Sequence, residues 1–277
     1  MRIYISRYNR TPFQKLNRLS NRTIKKGVLL RTDKMGFADY FPHTELGDED
    51  VEAFIKRFHS LKSPRHLKIL NILEKESSLS TNTAFRNHQL VMENDQDIIL
   101  PVVKYKIKHM RDYDFMKFDF HKIRLDANGL FPDAESVNLY LESIPSIVKN
   151  KIEYIEDPTP FPDWNNINHA CAKDLIQGKH FNYLIYKPDL SSLEHFDGPV
   201  IFSSYLGHDL GLWHAYEELI SKGDLELVHG LVAKDVYQED LGLFDHLHED
   251  YFRPNSDRVK RLFEEINLME WEYLCTL

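Results

Sequence analysis

Apolar and polar residues alternate over 1–7 (MRIYISR), the period of a strand with one buried face. A second β-like run, KKGVLLRTD, covers 25–33. The glycine-containing stretch after it leads to Tyr40–Pro42, so the three pieces read as a short antiparallel meander. From Gly47 the period changes. Asp48, Glu49 and Asp50 crowd a first helical turn, and Val51, Phe54, Ile55 and Phe58 then share one face. Ser63-Pro64 opens a further helix, with Leu67, Ile69, Leu70, Ile72 and Leu73 on its buried side. Strands followed by helices make residues 1–85 an α+β unit.

Beyond this unit the rhythm is different. Short apolar runs, most ending in a charged or polar residue, occur at 98–106, 122–126, 152–156, 169–174, 183–187, 200–204 and 225–229. Between them lie helix-like stretches, clearest at 134–149 and 208–221. Strands alternating with helices predict βαβ units and a parallel sheet, and this many repeats favour a closed barrel. The expected fold is therefore α/β: a modified TIM-type barrel over 86–277 behind an α+β capping domain over 1–85, the last residues returning to the cap. Asn94–Asp97 runs straight into the first long strand, so no earlier barrel strand or helix is visible there.

Composition narrows the function classes. Of 277 residues, 42% are hydrophobic and 28% charged, which excludes a disordered chain. The formal net charge is −8, and only 15–26 is mildly basic, so nucleic acid is not an expected partner. Two cysteines, Cys171 and Cys275, exclude a disulfide framework and a cysteine-rich zinc site. No apolar run approaches the ~20 residues of a membrane span, and the N-terminus lacks an apolar signal core, so no membrane contact and a cytoplasmic location are expected. Rossmann, P-loop, GxSxG and HExxH motifs are absent. The histidines nearest to clustering, His208 with His214 and His246 with His248, read as core-edge or solvated side chains.

What stands at the end of each run is more specific. In a parallel barrel alternate side chains point inward, and chemistry gathers at the C-terminal strand ends. Lys104 and Lys106 share one strand face; Arg124, Asp126 and Asn128 share the next. The following runs end in Glu156, Asp174 and Lys187. Three carboxylates on consecutive strands offer hard oxygen ligands of the kind Mg²⁺ prefers. Lysines on the flanking strands place amines on both sides of such an ion. A lysine surrounded by other positive charge loses its proton more readily and becomes available as a base. This order suits proton abstraction beside a substrate carboxylate.

At these residues the sequence resembles the enolase superfamily, in its muconate-lactonizing subgroup. The matching segments are KYK (104–106), RLDANG (124–129), IEDP (155–158), AKD (172–174) and YKP (186–188). KGVLLRTDKMGFADYFPH (26–43) resembles the family's cap strands, with Asp39 where glutamate is usual. FSSYLGHDLGL (202–212), His229-Gly-Leu231 and Gln238–Leu241 are most similar to the o-succinylbenzoate synthase family. The resemblance implies a (β/α)7β barrel with a cap. It also implies dehydration of 2-succinyl-6-hydroxy-2,4-cyclohexadiene-1-carboxylate to 2-succinylbenzoate, a lyase step of menaquinone biosynthesis. Lys106 would be the base and Lys187 the opposing cation beside a metal-stabilised enediolate. Asp126, Glu156 and Asp174 would hold Mg²⁺, with Mn²⁺ as a substitute. Lys104, Arg124, Ser203 and Ser204 would bind the small carboxylate substrate.

The short spacings from Lys106 to Asp126 and from Glu156 through Asp174 to Lys187 imply a trimmed barrel. They leave Asp163 and Asp157 as alternative third ligands, although Asp157 lies on the opposite strand face from Glu156. Two other readings stand beside the synthase. One is an N-acylamino acid racemase or dipeptide epimerase, which also uses opposed lysines; the Asp-x-Asp that dipeptide epimerases usually carry after the last strand is reduced here to Asp235. The other is a non-catalytic barrel relative.

Overall fold

The computed structural model describes residues 1–13, 23–33, 36–61, 83–90, 100–160, 164–174, 181–188, 193, 196–233 and 236–276. The helix expected from Ser63 and the side chains of Asp163 and Asp235 lie outside them.

The cap strands are β1 (Arg2–Arg10), β2 (Lys25–Thr32), β3 (Phe37–Tyr40) and β15 (Glu272–Thr276). They form a four-stranded antiparallel sheet in the order β15-β1-β2-β3. Alternation places Ile3, Ile5, Val28 and Leu30 on one face, where they pack against Val51, Phe54 and Phe58 of α1 (Val51–Leu61). Asp50 starts that helix by accepting the Ala53 N–H at 2.8 Å, the N-cap role its acidic side chain predicts. β15 comes from the far end of the chain and pairs antiparallel with β1.

The second sheet has seven parallel strands in simple sequence order. They are β5 (Gln89–Leu90), β6 (Leu100–Lys106), β7 (Phe120–Asp126), β8 (Ile152–Glu156), β9 (Cys171–Asp174), β10 (Tyr183–Tyr186) and β11 (Val200–Phe202). β4 (Phe85–Asn87) precedes β5 across His88 and pairs in parallel with β12 (Val228–His229). A parallel bridge from Ser203 to Gly230 joins the β11 end to β12, which closes the ring. The first barrel strand is therefore present at 85–90, where the sequence showed none. It escapes a periodicity reading because it is short and is carried by the polar residues Asn87, His88 and Gln89.

Alternation around the ring sorts the core. Tyr154, Ala172, Ile185 and Ile201 form a cluster from alternate positions on four consecutive strands. The intervening residues, Val103, Tyr105, Ile123, Leu125, Ile155 and Cys171, pack with Val137, Tyr140 and Leu141 of α2 (Ala134–Glu142). The continuous helix expected over 134–149 is broken. Pro145 supplies no N–H and cannot continue α2, so a separate turn, α3 (Ser146–Lys149), follows it. α4 (Asp209–Lys222) and α5 (Ser256–Leu268) cover the other side of the barrel. A hairpin of β13 (Phe244–His248) and β14 (Tyr251–Pro254) pairs with β4. Between β8 and β9 the described residues, 157–160 and 164–170, carry no helix. Among the described residues no helix is long and apolar enough to cross a membrane.

Candidate active site

The parallel register aligns the chemistry. Lys106 pairs with Asp126, and Asp126 pairs with Glu156, so three neighbouring strands present these side chains in one row. Glu156 pairs in turn with Ala172 on β9; Asp174 lies two residues further along the same face. Lys187 follows the end of β10, two residues past Ile185, the partner of Asp174.

Lys104 sits one inward position below Lys106. Its ammonium lies 2.8 and 2.7 Å from the two Glu156 oxygens and 3.1 Å from Asp126 Oδ2. Asn128 donates to Asp126 Oδ1 at 2.5 Å. Lys187 is ion-paired to Asp174 Oδ2, and Asp174 Oδ1 is buried with no hydrogen-bond partner. Asp157, at φ 44°, instead reaches Lys173 at 2.7 Å.

These groups set one another's protonation. Burial alone would lower Lys104, but Asp126 and Glu156 outweigh it and hold the ammonium charged. The same contest raises Lys187 through Asp174 and Glu156. Lys106 goes the other way: burial, helped by the charges of Lys104 and Lys187, lowers it despite Asp126 and Glu156. Burial would raise Asp126, yet Lys104 and Lys106 bring it below its ordinary value. Glu156 is pushed up to about 7, by burial first and by the charges of Asp126 and Asp174, against Lys104. One ammonium does not satisfy two buried carboxylates.

Arg124 lies deeper, 1% exposed. A β-bulge sets Ile123 opposite Ile152 but Arg124 opposite Tyr154, leaving Glu153 as the extra residue. Arg124 Nε donates to Glu153 Oε2 at 2.6 Å, Nη1 donates to His88 Nδ1 at 3.0 Å, and the guanidinium lies 5.1 Å from the Tyr154 ring centre. Ser203 Oγ donates to the Gly230 carbonyl at 3.1 Å, at the bridge that closes the ring. Ser204 borders a cavity of about 360 Å³ between the β11–α4 turn and the segment after β12. The structure thus gathers Lys104, Lys106, Asp126, Glu156, Asp174 and Lys187, and sets Arg124 beneath them.

The donor set fits a divalent cation. Asp126 and Glu156 approach closely enough to share one cation, and Asp174 Oδ1 is buried without a donor. Among the described residues no three acidic, His or Cys side chains yet converge. Asp126, Glu156 and Asp174 would hold the ion once Lys104 and Lys187 release them.

The cap reaches this end of the barrel through contacts that local sequence patterns do not reveal. Asp39 accepts the Tyr8 hydroxyl at 2.6 Å and the His208 N–H at 2.7 Å, at the start of α4. Arg10 pairs with Asp209 at 2.8 Å, both side chains being buried. Asp39 is visible in the sequence as an acidic position in a cap pattern; Glu153, His88 and Tyr154 carry no such signal.

Comparison with known proteins agrees with this architecture. Residues 3–71 match the family model described as "O-succinylbenzoate synthase, N-terminal domain". An o-succinylbenzoate synthase of Bdellovibrio bacteriovorus is 25% identical over 294 residues, covering 87% of this chain and 88% of that protein. Among solved structures, the L-Ala-D/L-Glu epimerase of Bacillus subtilis has a TM-score of 0.63 at 11% identity, covering 92% of this chain and 96% of its own. The o-succinylbenzoate synthase of Thermosynechococcus elongatus, solved with Mg in its active site, has a TM-score of 0.57 at 15% identity, covering 96% and 100%.

The capped barrel shares its fold with a solved member of the enolase superfamily from Roseovarius nubinhibens, and its lysine and carboxylate side chains stand at the strand ends. In sequence the chain is similar to o-succinylbenzoate synthases, through residues 3–71 and through the Bdellovibrio protein.

Proposed function

We propose that this chain is a Mg²⁺-dependent o-succinylbenzoate synthase that converts 2-succinyl-6-hydroxy-2,4-cyclohexadiene-1-carboxylate to 2-succinylbenzoate. The observation that carries the reading is the register row Lys106–Asp126–Glu156, with Lys187 beside Asp174 across the mouth. Mn²⁺ would serve in place of Mg²⁺.

Asp126, Glu156 and Asp174 would hold a divalent cation, which would supply Lewis acidity toward the substrate carboxylate. Lys106, lowered by burial and by its fellow lysines, takes the proton α to that carboxylate. Negative charge then builds on the carboxylate oxygens, and Lys187, held protonated, faces it. The Lys106 ammonium next returns its proton to the departing hydroxyl. The C–O bond breaks, water leaves, and the ring becomes aromatic. Lys104, once it has released Glu156 and Asp126, keeps positive charge near Lys106 and would pair with the substrate carboxylate. Arg124, tied to Glu153 and His88, orients the strand that carries Asp126. Ser203 and Ser204 border the end where the succinyl group would lie.

Epimerase folds also match this chain, and opposed lysines serve racemisation equally well, so an N-acylamino acid racemase or dipeptide epimerase is the second reading. Parallel assays separate the two. The purified chain with Mg²⁺ is expected to form 2-succinylbenzoate faster than it exchanges the α proton of N-acyl amino acids or dipeptides. Racemisation or epimerisation without synthase turnover would reverse the order, and neither activity would favour a non-catalytic relative.

A further inference from the structure

Tyr205 follows the Ser203–Ser204 pair in the turn between β11 and α4, and none of the roles above uses it. Its ring centre lies 5.1 Å from the Lys187 ammonium, within the ~6 Å range of a cation–π contact. The cap holds this tyrosine at both ends. Its hydroxyl donates to Asp48 Oδ2 at 2.7 Å, and its carbonyl accepts from His43 Nε2 at 3.0 Å. The His43 ring stands edge-on to the Tyr205 ring, with centroids 4.7 Å apart. The His43 backbone N–H donates to the same Asp48 oxygen at 2.7 Å, so the three residues form a closed circuit. His43 is only 4% exposed.

We propose that Tyr205 is a positioning residue for Lys187, and that His43 and Asp48 make its placement depend on cap docking. The inference rests on the reading of Lys187 as the cation that faces the substrate. A lysine stem has several rotatable bonds, so its head needs neighbours to fix it. A carboxylate would fix it but would also neutralise it. An aromatic face attracts the ammonium while leaving its charge and N–H groups available to an anion. Asp174, which also touches Lys187, is committed in the proposed site to a metal ion. The Tyr205 ring can keep its contact whether or not that ion is bound. The cap and barrel meet at this ring, so undocking the cap would release Lys187 at the same moment as it opened the site.

The test uses the full chain with lysine labelled at the ε carbon, the Lys187 signal being assigned through Lys187→Arg. In the wild type the ε protons of Lys187 are expected upfield of ordinary lysines, because they lie over a ring. Tyr205→Phe keeps that shift, and Tyr205→Leu abolishes it while α-helical circular dichroism is retained. In turnover, Tyr205→Phe is expected within about threefold of wild type. Tyr205→Leu should lose roughly 10- to 100-fold in kcat with KM within about threefold, since the contact serves the transition state. An unchanged Lys187 signal in Tyr205→Leu, or kcat within about threefold of wild type in an active enzyme, overturns the proposal. The resonance decides it whether or not the wild type makes product. A wild type without synthase activity would instead contradict the proposed function.

Discussion

Asp126 stands directly beside Glu156 in the parallel pairing of β7 with β8, and the two carboxylates share a single ammonium, Lys104 Nζ, at 3.1 and 2.7 Å. Two buried negative charges compensated by one positive charge make a site that gains from a divalent ion. Mg²⁺ is therefore expected to raise the thermal midpoint of the chain. Stabilisation is about 2.7 kcal/mol at a hundredfold excess over Kd. Asp126→Asn should remove the Mg²⁺-induced shift, as a melting series with and without the ion would show.

Lys106 ends β6 beside Asp126 and is lowered by burial. If it moves the proton, Lys106→Ala should lose at least about 10³-fold in kcat with the fold intact. Synthase kinetics paired with circular dichroism check this, and kcat within about tenfold of wild type would reject Lys106 as the base.

Arg124 is 1% exposed, and Glu153 is its carboxylate partner at 2.6 Å. Glu153→Ala would leave a buried guanidinium without that partner. Breaking a buried ion pair from one side costs about 3–5 kcal/mol. The urea midpoint should fall accordingly, and Arg124→Met combined with Glu153→Leu should recover much of the loss, because no unpaired charge remains.

Acid should destabilise the fold through His229. It is fully buried and neutral: Nδ1 accepts the Phe202 N–H at 3.1 Å, and Nε2 donates to the Asp224 carbonyl at 3.0 Å. Burial lowers it to about 4, against about 6.5 in an unfolded chain. The unfolded state then binds more protons between these values. Stability is complete above pH about 6.5 and falls as the pH drops toward 4, by on the order of 2–3 kcal/mol for this group. Burial lowers His214 to about 4 as well, which adds to the same trend. Asp240, raised to about 6 by burial and by Asp209, opposes it, since its folded form holds a proton more readily. Urea midpoints at pH 7 and pH 4.5 should show the net loss, and His229→Asn should reduce it.

The site was legible in the sequence because inward-facing positions of a barrel strand recur every second residue. A single charge at the end of an apolar run is commonplace, but the same feature on strand after strand points to a shared mouth. Lys106, Asp126, Glu156, Asp174 and Lys187 could be placed in this way. The strand at 85–90 could not: two or three residues, interrupted at His88, give no period to detect. Glu153 was invisible for a different reason. A bulge shifts the count by one, so strict alternation assigns it to the wrong face. The cap contacts of His43 and Asp48 with Tyr205 join residues more than 150 positions apart, and no local pattern records such a pairing. Pro145 illustrates the converse, since its missing N–H could have ended the predicted helix at 144.

The most direct measurement is the product formed from 2-succinyl-6-hydroxy-2,4-cyclohexadiene-1-carboxylate by the purified chain, with Mg²⁺ and after chelation. 2-Succinylbenzoate and water are expected in the presence of Mg²⁺, and almost none after chelation or in Asp126→Asn. Unconverted substrate under saturating Mg²⁺, or equal turnover in the chelated protein, would contradict the proposed function.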